Sequence, residues 1–166
     1  MWSAIVVAVM AALTGFYMLP AERSRIVVEN QLARTQAESM GVYRQAVVAY
    51  FSAHDETNTS VRFEVLKASG MMPGWSAQYG STSAWTNYRD GAGVIYIFPA
   101  AMPSPAIVGE VLALSHHSMS VGVYRASDHT LYSPVDGSRI ALASLGTAAI
   151  PDAAPVWLAA RAAGQP

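Results

Sequence analysis

Histidines and their polar neighbours are the residues of this chain whose side chains could support chemistry. The sequence contains four histidines, and two of them, His116 and His117, are adjacent and follow Ser115. Asp128 and His129 lie a short way further along the chain. Ser115, His117 and Asp128 supply the residue types of a hydrolase triad, in which a base activates the serine for nucleophilic attack. These residue types are common, so the trio alone does not predict catalysis.

The same histidines are poor candidates for metal binding. A structural metal site needs several ligands that converge on one point. Adjacent side chains point to opposite faces of a strand and diverge by about 100° on a helix, so His116 and His117 do not easily chelate one ion. The chain has no cysteine, which excludes thiolate sites, disulfides and a cysteine nucleophile. We therefore predict no metal and no cofactor.

Sequence motifs with a known catalytic mechanism are missing. The chain has no G-x-S-x-G, H-E-x-x-H, P-loop or G-x-G-x-x-G pattern. Charged residues make up 13% of it, about half of the usual share in soluble proteins, and the formal net charge is -1. This composition disfavours a free-standing cytosolic enzyme and a nucleic-acid-binding protein, which is usually basic. We predict a protein that is not an enzyme and binds no nucleic acid.

Residues 1–19 contain no charged side chain. As a helix they span about 30 Å, the thickness of the hydrocarbon core of a bilayer. Trp2 and Tyr17 lie near the two ends, where aromatic rings favour the headgroup level. A cleaved secretory signal and a buried core helix are the alternatives, but no small-x-small cleavage site follows the apolar run. We predict an uncleaved transmembrane anchor.

Residues 20–54 are predicted to form a helical stalk. Apolar side chains recur at three- and four-residue spacing and would form one face of it, whereas Arg44 and Gln36 can face water. The predicted apolar face comprises Leu32, Met40, Tyr43, Val47, Tyr50 and Phe51.

Residues 55–142 are predicted to form a small α+β domain. Residues 93–98 have the β-branched and aromatic composition of a strand, residues 106–115 are typical of a short helix, and residues 119–133 resemble a hairpin. Residues 143–166 form an Ala/Pro-rich tail, in which 156–158 could be a short terminal helix. The predicted fold class is therefore α+β, with the stalk packed on a small antiparallel sheet.

Four aromatic residues are the candidates for contacts with other proteins, because tryptophan and tyrosine are enriched at the energetic centres of interfaces. They are Trp75, Trp85, Tyr88 and Tyr96. The alternative is that about half of them fill the core.

A set of packing and turn positions runs through most of residues 1–140. It comprises Tyr43–Tyr50, Val61, Leu66, Pro73–Trp75, Gly122–Tyr124, Leu131–Ser133 and Asp136–Gly137. With these positions, the order of the elements resembles the layout of type IV pilins and their accessory proteins, and within that group the chain resembles the PilM family of thin (type IVB) conjugative pilus systems.

This resemblance implies a non-enzymatic inner-membrane component of a pilus assembly or secretion apparatus, placed in the basal body or in pilin transport. It also implies other subunits of that machine as partners and a periplasmic location for residues 21–166. Arg23, Arg25 and Arg34 favour the cytoplasm by the positive-inside rule, and we follow the resemblance. A pseudopilin-like filament subunit, which needs a processed leader, and a membrane-anchored hydrolase remain alternatives.

Overall fold

The computed structural model of the protein describes residues 2–74, 84–142 and 150–160, with side chains in the first helix considered from residue 27 onward. The described elements follow one another as α1 (Trp2–Ala53), α2 (Phe63–Ala68), β1 (Trp85–Arg89), β2 (Val94–Pro99), α3 (Ile107–Leu114), β3 (Val121–Arg125), β4 (Thr130–Tyr132), β5 (Arg139–Ala141) and β6 (Pro155–Ala160).

Helix α1 is a single helix of 52 residues. Its backbone continues through residue 20, so the segments predicted as anchor and stalk are joined without a break. It ends one residue before the stop predicted at residue 54. Among the residues whose side chains the structure describes, no helix is long and apolar enough to cross a membrane. The anchor predicted for residues 1–19 therefore stays a prediction.

The sheet has the strand order β1-β2-β6-β3-β4-β5, and each neighbouring pair is antiparallel. The prediction of an α+β fold with an antiparallel sheet is confirmed. The terminal helix predicted at residues 156–158 is wrong, because β6 lies in the middle of the sheet. Val156 and Trp157 point to opposite faces and both are buried. Such a strand has no polar alternation to distinguish it from a short helix.

The last part of α1 packs on one face of the sheet, hereafter the helical face. Its buried side chains there include Ala33, Ala37, Met40, Tyr43, Ala46, Val47 and Phe51. Leu32, which we expected in this face, is 52% exposed. The small alanine side chains allow α1 to approach the rest of the domain closely. Because the buried face of α1 contains Ala33, the adjacent Leu32 points away from it. Arg44 is also only half-exposed, since its guanidinium carbon lies 4.9 Å from the centre of the Trp157 ring.

The opposite face of the sheet is also apolar. A second cluster of buried side chains lies there, and it includes residues that follow β5 in the chain. The cluster contains Tyr88, Tyr96, Phe98, Tyr124, Leu131, Ile150, Ala154 and Val156. The central strands therefore have buried side chains on both faces.

The two ends of the sheet differ on the helical face. Helices α1 and α3 pack over β1, β2, β6 and the start of β3, and we call this the covered half. Strands β4 and β5 and the end of β3 form the open half. Val123, Arg125, Thr130 and Tyr132 are only partly buried there, and Arg139 is exposed.

Candidate functional site

The four aromatic residues predicted as contacts are not an exposed group. Trp85, Tyr88 and Tyr96 are 6%, 7% and 3% exposed, so these three fill the core, which is the alternative to a role in contacts. Trp85 Nε1 donates a hydrogen bond to Ser39 Oγ at 2.8 Å, and Tyr96 donates one to Asp90 Oδ2 at 2.8 Å. Trp75 lies outside the described residues. These aromatic side chains have structural partners within the domain.

The three residues of the hypothetical triad have separate partners. Ser115 Oγ donates to Leu112 O at 2.9 Å, which is a helix-end contact. Asp128 accepts a hydrogen bond from Thr130 Oγ1 at 2.7 Å and forms an ion pair with Arg139 at 3.5 Å. Within residues 84–142, no hydrogen bond joins Ser115, His117 and Asp128. The arrangement gives no geometric support for serine activation.

The histidine pair ends helix α3. His116 and His117 have φ values of 54° and 56°, in the left-handed region. The His117 N–H donates to Leu112 O at 2.8 Å, the backbone pattern with which helices commonly terminate. Both side chains are exposed. In the described ranges, no group of three or more His, Asp or Glu side chains is placed to hold a metal ion.

A buried arginine fixes the end of α1 to the sheet. Arg89, on β1, is 3% exposed. Its Nη1 donates to the carbonyl oxygens of His54 at 3.1 Å and Glu56 at 2.9 Å. Its Nη2 lies 3.4 Å from Asp55 Oδ1, and its guanidinium carbon lies 5.4 Å from the centre of the Phe51 ring. A cation beside the C-terminal end of a helix is favourable because that end has a partial negative charge.

A buried asparagine links the same strand to the helix and to the connector that follows it. Asn87 accepts a hydrogen bond from the Val61 N–H at 3.0 Å. It donates to Val61 O at 2.7 Å and to the Tyr43 hydroxyl at 2.6 Å. Burial raises the pKa of Tyr43 to about 12, although the Asn87 hydrogen bond acts in the opposite direction. Tyr43 is therefore a neutral hydrogen-bonding residue at physiological pH.

A groove of about 160 Å³ lies between α1 and the N-terminal end of β1. Its lining is mainly apolar and comprises Thr35, Gln36, Ser39, Tyr43, Phe63, Met72, Ala84 and Trp85. The Gln36 side-chain oxygen is buried and accepts no hydrogen bond from any described residue. No lining residue of the groove is charged, and the hydroxyl groups of Thr35, Ser39 and Tyr43 are already hydrogen-bonded to Gln31 O, Trp85 Nε1 and Asn87 Nδ2.

The open half presents an arginine–aromatic cluster on the helical face. Val123, Tyr132 and Arg139 lie directly opposite one another on β3, β4 and β5. The Arg125 guanidinium carbon lies 4.4 Å from the centre of the Tyr132 ring, a cation–π contact. Arg139 forms its ion pair with Asp128 beside them. Sequence reasoning missed this cluster because the pairing register, not the spacing along the chain, brings its members together.

The two edges of the sheet are also unlike. The end of β1 is bridged by Thr59, whose N–H and carbonyl both bond to Arg89 at 3.1 and 2.8 Å. At the other edge, Leu142 donates to His129 O and Ser133 donates to Ser138 O. In this register the backbone groups of Arg139 and Ala141 point away from β4. No described residue pairs with that outer edge.

Comparison with known proteins identifies one family. The model of the PilM family matches residues 8–158, which is most of the chain. No curated protein and no solved structure matches the chain. The match begins within α1 and ends within β6, so it covers nearly all of the described elements. The chain belongs to the PilM family, as the resemblance predicted.

Proposed function

We propose that this protein is a non-enzymatic inner-membrane component of a type IV pilus assembly or secretion apparatus. Membership of the PilM family indicates involvement in pilus biogenesis. In our proposal residues 1–19 anchor the chain in the inner membrane, and the α+β domain lies in the periplasm. There the domain binds other subunits of the machine, in the basal body or in pilin transport.

The observation that most supports this proposal is the difference between the two parts of α1, of which the later part packs on the domain. Its packed stretch runs from Ala33 to Phe51, whereas Val28 and Leu32 are 63% and 52% exposed. At 1.5 Å per residue, the part of α1 before Ala33 is about 45 Å long. That length suffices for a helix to cross about 30 Å of hydrocarbon and to hold the domain some distance from the bilayer.

A rigid link between anchor and domain favours docking as the mechanism. Asn87 joins β1 to Tyr43 of α1, and Arg89 joins it to the residues that directly follow α1, through buried hydrogen bonds, so the domain follows the orientation of the helix. A protein held at a membrane meets other membrane-held subunits at raised effective concentration. Contacts that are weak in solution then suffice for assembly.

The anchor is tested by membrane fractionation of the full chain. We expect it to remain with the inner membrane after alkaline extraction, and a Val6→Glu, Val9→Glu double variant to be released. An Arg34→Glu, Glu38→Arg exchange, which preserves the exposed ion pair of α1, is the matched control and should stay bound. Full-length protein in the soluble fraction without detergent would refute the proposal.

The non-enzymatic mechanism is tested by pilus assembly. A triple variant with Ser115→Ala, His117→Ala and Asp128→Ala should still support assembly, because the structure gives these residues no common site. Loss of assembly by this variant, with normal protein level and unchanged circular dichroism, would favour the hydrolase instead.

A further inference from the structure

We propose that the outer edge of β5, with which no described residue pairs, is a docking site for an extended segment of a partner protein, in which acidic and apolar residues alternate. The inference rests on the proposed docking function and names the surface and the chemistry of the partner. A strand added to this edge would pair with the backbone of Arg139 and Ala141. We call this edge, together with Arg125, Tyr132 and Arg139, the β5 docking site.

The backbone supplies the first part of the argument. The pairing register of β5 with β4 turns the N–H and carbonyl groups of Ile140 inward and those of Arg139 and Ala141 outward. An extended peptide can satisfy these groups by adding a strand, which is a common mode of peptide recognition. The opposite edge is less suitable, because Thr59 already occupies the end of β1.

Charge on the helical face supplies the second part. Arg125 and Arg139 both lower the pKa of Asp128, after the stronger effect of its hydrogen bond with Thr130. Arg139 is the charged side chain of β5 on this face, and it remains 56% exposed although its guanidinium group lies 3.5 Å from Asp128. Asp136, in the turn before β5, already accepts a hydrogen bond from the Ser138 N–H at 3.1 Å. The residue of an added strand that lies opposite Arg139 would be about 4.8 Å away. An acidic side chain at that position would be favoured.

Apolar side chains on the opposite face supply the third part. Ile140 and Leu142 are half-buried and pack against the cluster that contains Tyr124 and Leu131. The remaining residues of an added strand would extend this cluster. The combination selects a segment with acidic residues on one side and apolar residues on the other.

The same charges disfavour a second copy of this chain as the occupant. Pairing of β5 with β5 would place two copies of Arg139 close together across the new strand pair. Like charges at such positions are destabilising, and charged residues on sheet edges commonly prevent self-association. A partner segment with acidic residues opposite Arg139 would avoid this repulsion.

The test uses synthetic heptapeptides and the full-length protein in detergent. The probe alternates Val and Glu, and the comparison peptide alternates Val and Lys. We expect the Glu peptide to bind at least about tenfold more tightly than the Lys peptide and to slow hydrogen exchange of the Arg139 and Ala141 amides. Arg139→Glu should remove this preference, whereas Lys67→Glu, at an exposed position on α2, is the matched control and should keep it.

A backbone variant separates strand addition from simple charge attraction. Ala141→Pro deletes an outward N–H without removing a bond to β4, so we expect it to weaken binding of the Glu peptide while the circular dichroism is unchanged. Equal binding of both peptides, or full binding by Ala141→Pro, would overturn the inference. So would a sedimentation result in which Ala141→Pro dissociates a dimer, since the occupant would then be a second copy. These failures leave membrane fractionation unaffected, and so they are distinguishable from failure of the docking function.

Discussion

The covered half and the open half of the sheet use their side chains differently. In the covered half, Trp157 is 8% exposed and packs under α1 beside Gly41, where a side chain added to the glycine would approach Leu114 Cδ2 at 3.2 Å. In the open half, Tyr132 lies on the same face of the sheet, is half-buried, and has the Arg125 guanidinium group over its ring. One aromatic ring is part of a core, and the other is part of a surface.

This difference assigns separate tasks to the two regions. The covered half joins α1 to the sheet by apolar packing and by the buried Asn87 and Arg89 side chains, so it should determine stability. Among the described residues, the open half leaves the outer backbone edge of β5 unpaired and Arg139 exposed, so it should determine recognition. Substitutions in the covered half should therefore reduce the free energy of unfolding, and those in the open half should mainly alter binding.

The largest effect is expected for Trp157→Ala. This change removes a large ring that packs between Ile97 and Val121 on the neighbouring strands and lies below the guanidinium group of Arg44. We expect a loss of about 3–5 kcal/mol in the free energy of unfolding, measured by urea denaturation of the full chain in detergent. Trp157→Phe keeps an aromatic ring at this position and should lose less. A loss below about 1 kcal/mol for Trp157→Ala would show that α1 does not depend on β6.

A somewhat smaller effect is expected for Asn87→Ala. The variant leaves the buried N–H and carbonyl of Val61 without their side-chain partner, and each such group costs about 1–3 kcal/mol. We expect the free energy of unfolding to fall by about 3 kcal/mol in urea denaturation. Thr86→Ala, at the preceding and half-buried position of β1, is the matched control and should cost less than about 1 kcal/mol. Equal losses would mean that the hydrogen bonds of Asn87 are not responsible.

Most elements of the fold follow from local patterns. The helical spacing of Met40, Tyr43 and Val47 predicts the buried face of α1, and the composition of residues 93–98 predicts β2. The first set repeats with the period of a helix, and the second is a continuous β-branched and aromatic run, which is typical of a strand that is buried on both faces. The family motif at Gly122–Tyr124 also has a physical reason, because a side chain on Gly122 would come within 2.8 Å of Leu131 Cγ on β4.

The remaining features depend on contacts between distant residues. The prediction of a short terminal helix at residues 156–158 is wrong because pairing with β2 and β3 makes them a strand. Trp85, Tyr88 and Tyr96 have the composition of a binding surface but are buried by packing on both faces of the sheet. The contact of Arg125 with Tyr132 arises from the register of β3 and β4. Neither a sheet order nor a register can be deduced from spacing along one chain.

A pH effect smaller than the two preceding losses is expected from Tyr43, on the helix side of the covered half. Its folded pKa is raised to about 12, whereas the unfolded value is about 10. The contribution of the neutral Tyr43 hydroxyl to the free energy of unfolding is therefore complete below pH 10 and is lost as the pH rises toward 12. Between pH 9 and pH 11 the wild-type chain should lose about 1.4 kcal/mol more than Tyr43→Phe, measured as free energies of unfolding. Parallel pH profiles of the two proteins would contradict burial of a neutral Tyr43 hydroxyl.

The smallest effect on stability is expected for Tyr132→Ala in the open half. The ring is half-buried, and the Arg125 guanidinium carbon lies 4.4 Å from its centre. A cation–π contact at such a site contributes about 0.5–1 kcal/mol, so the free energy of unfolding should fall by about 1 kcal/mol. Binding of the Val/Glu peptide should weaken by a larger factor, because Arg125 loses the surface that orients it toward β5. If Tyr132→Ala destabilises the protein as much as Trp157→Ala and leaves peptide binding unchanged, the two halves do not divide stability from recognition.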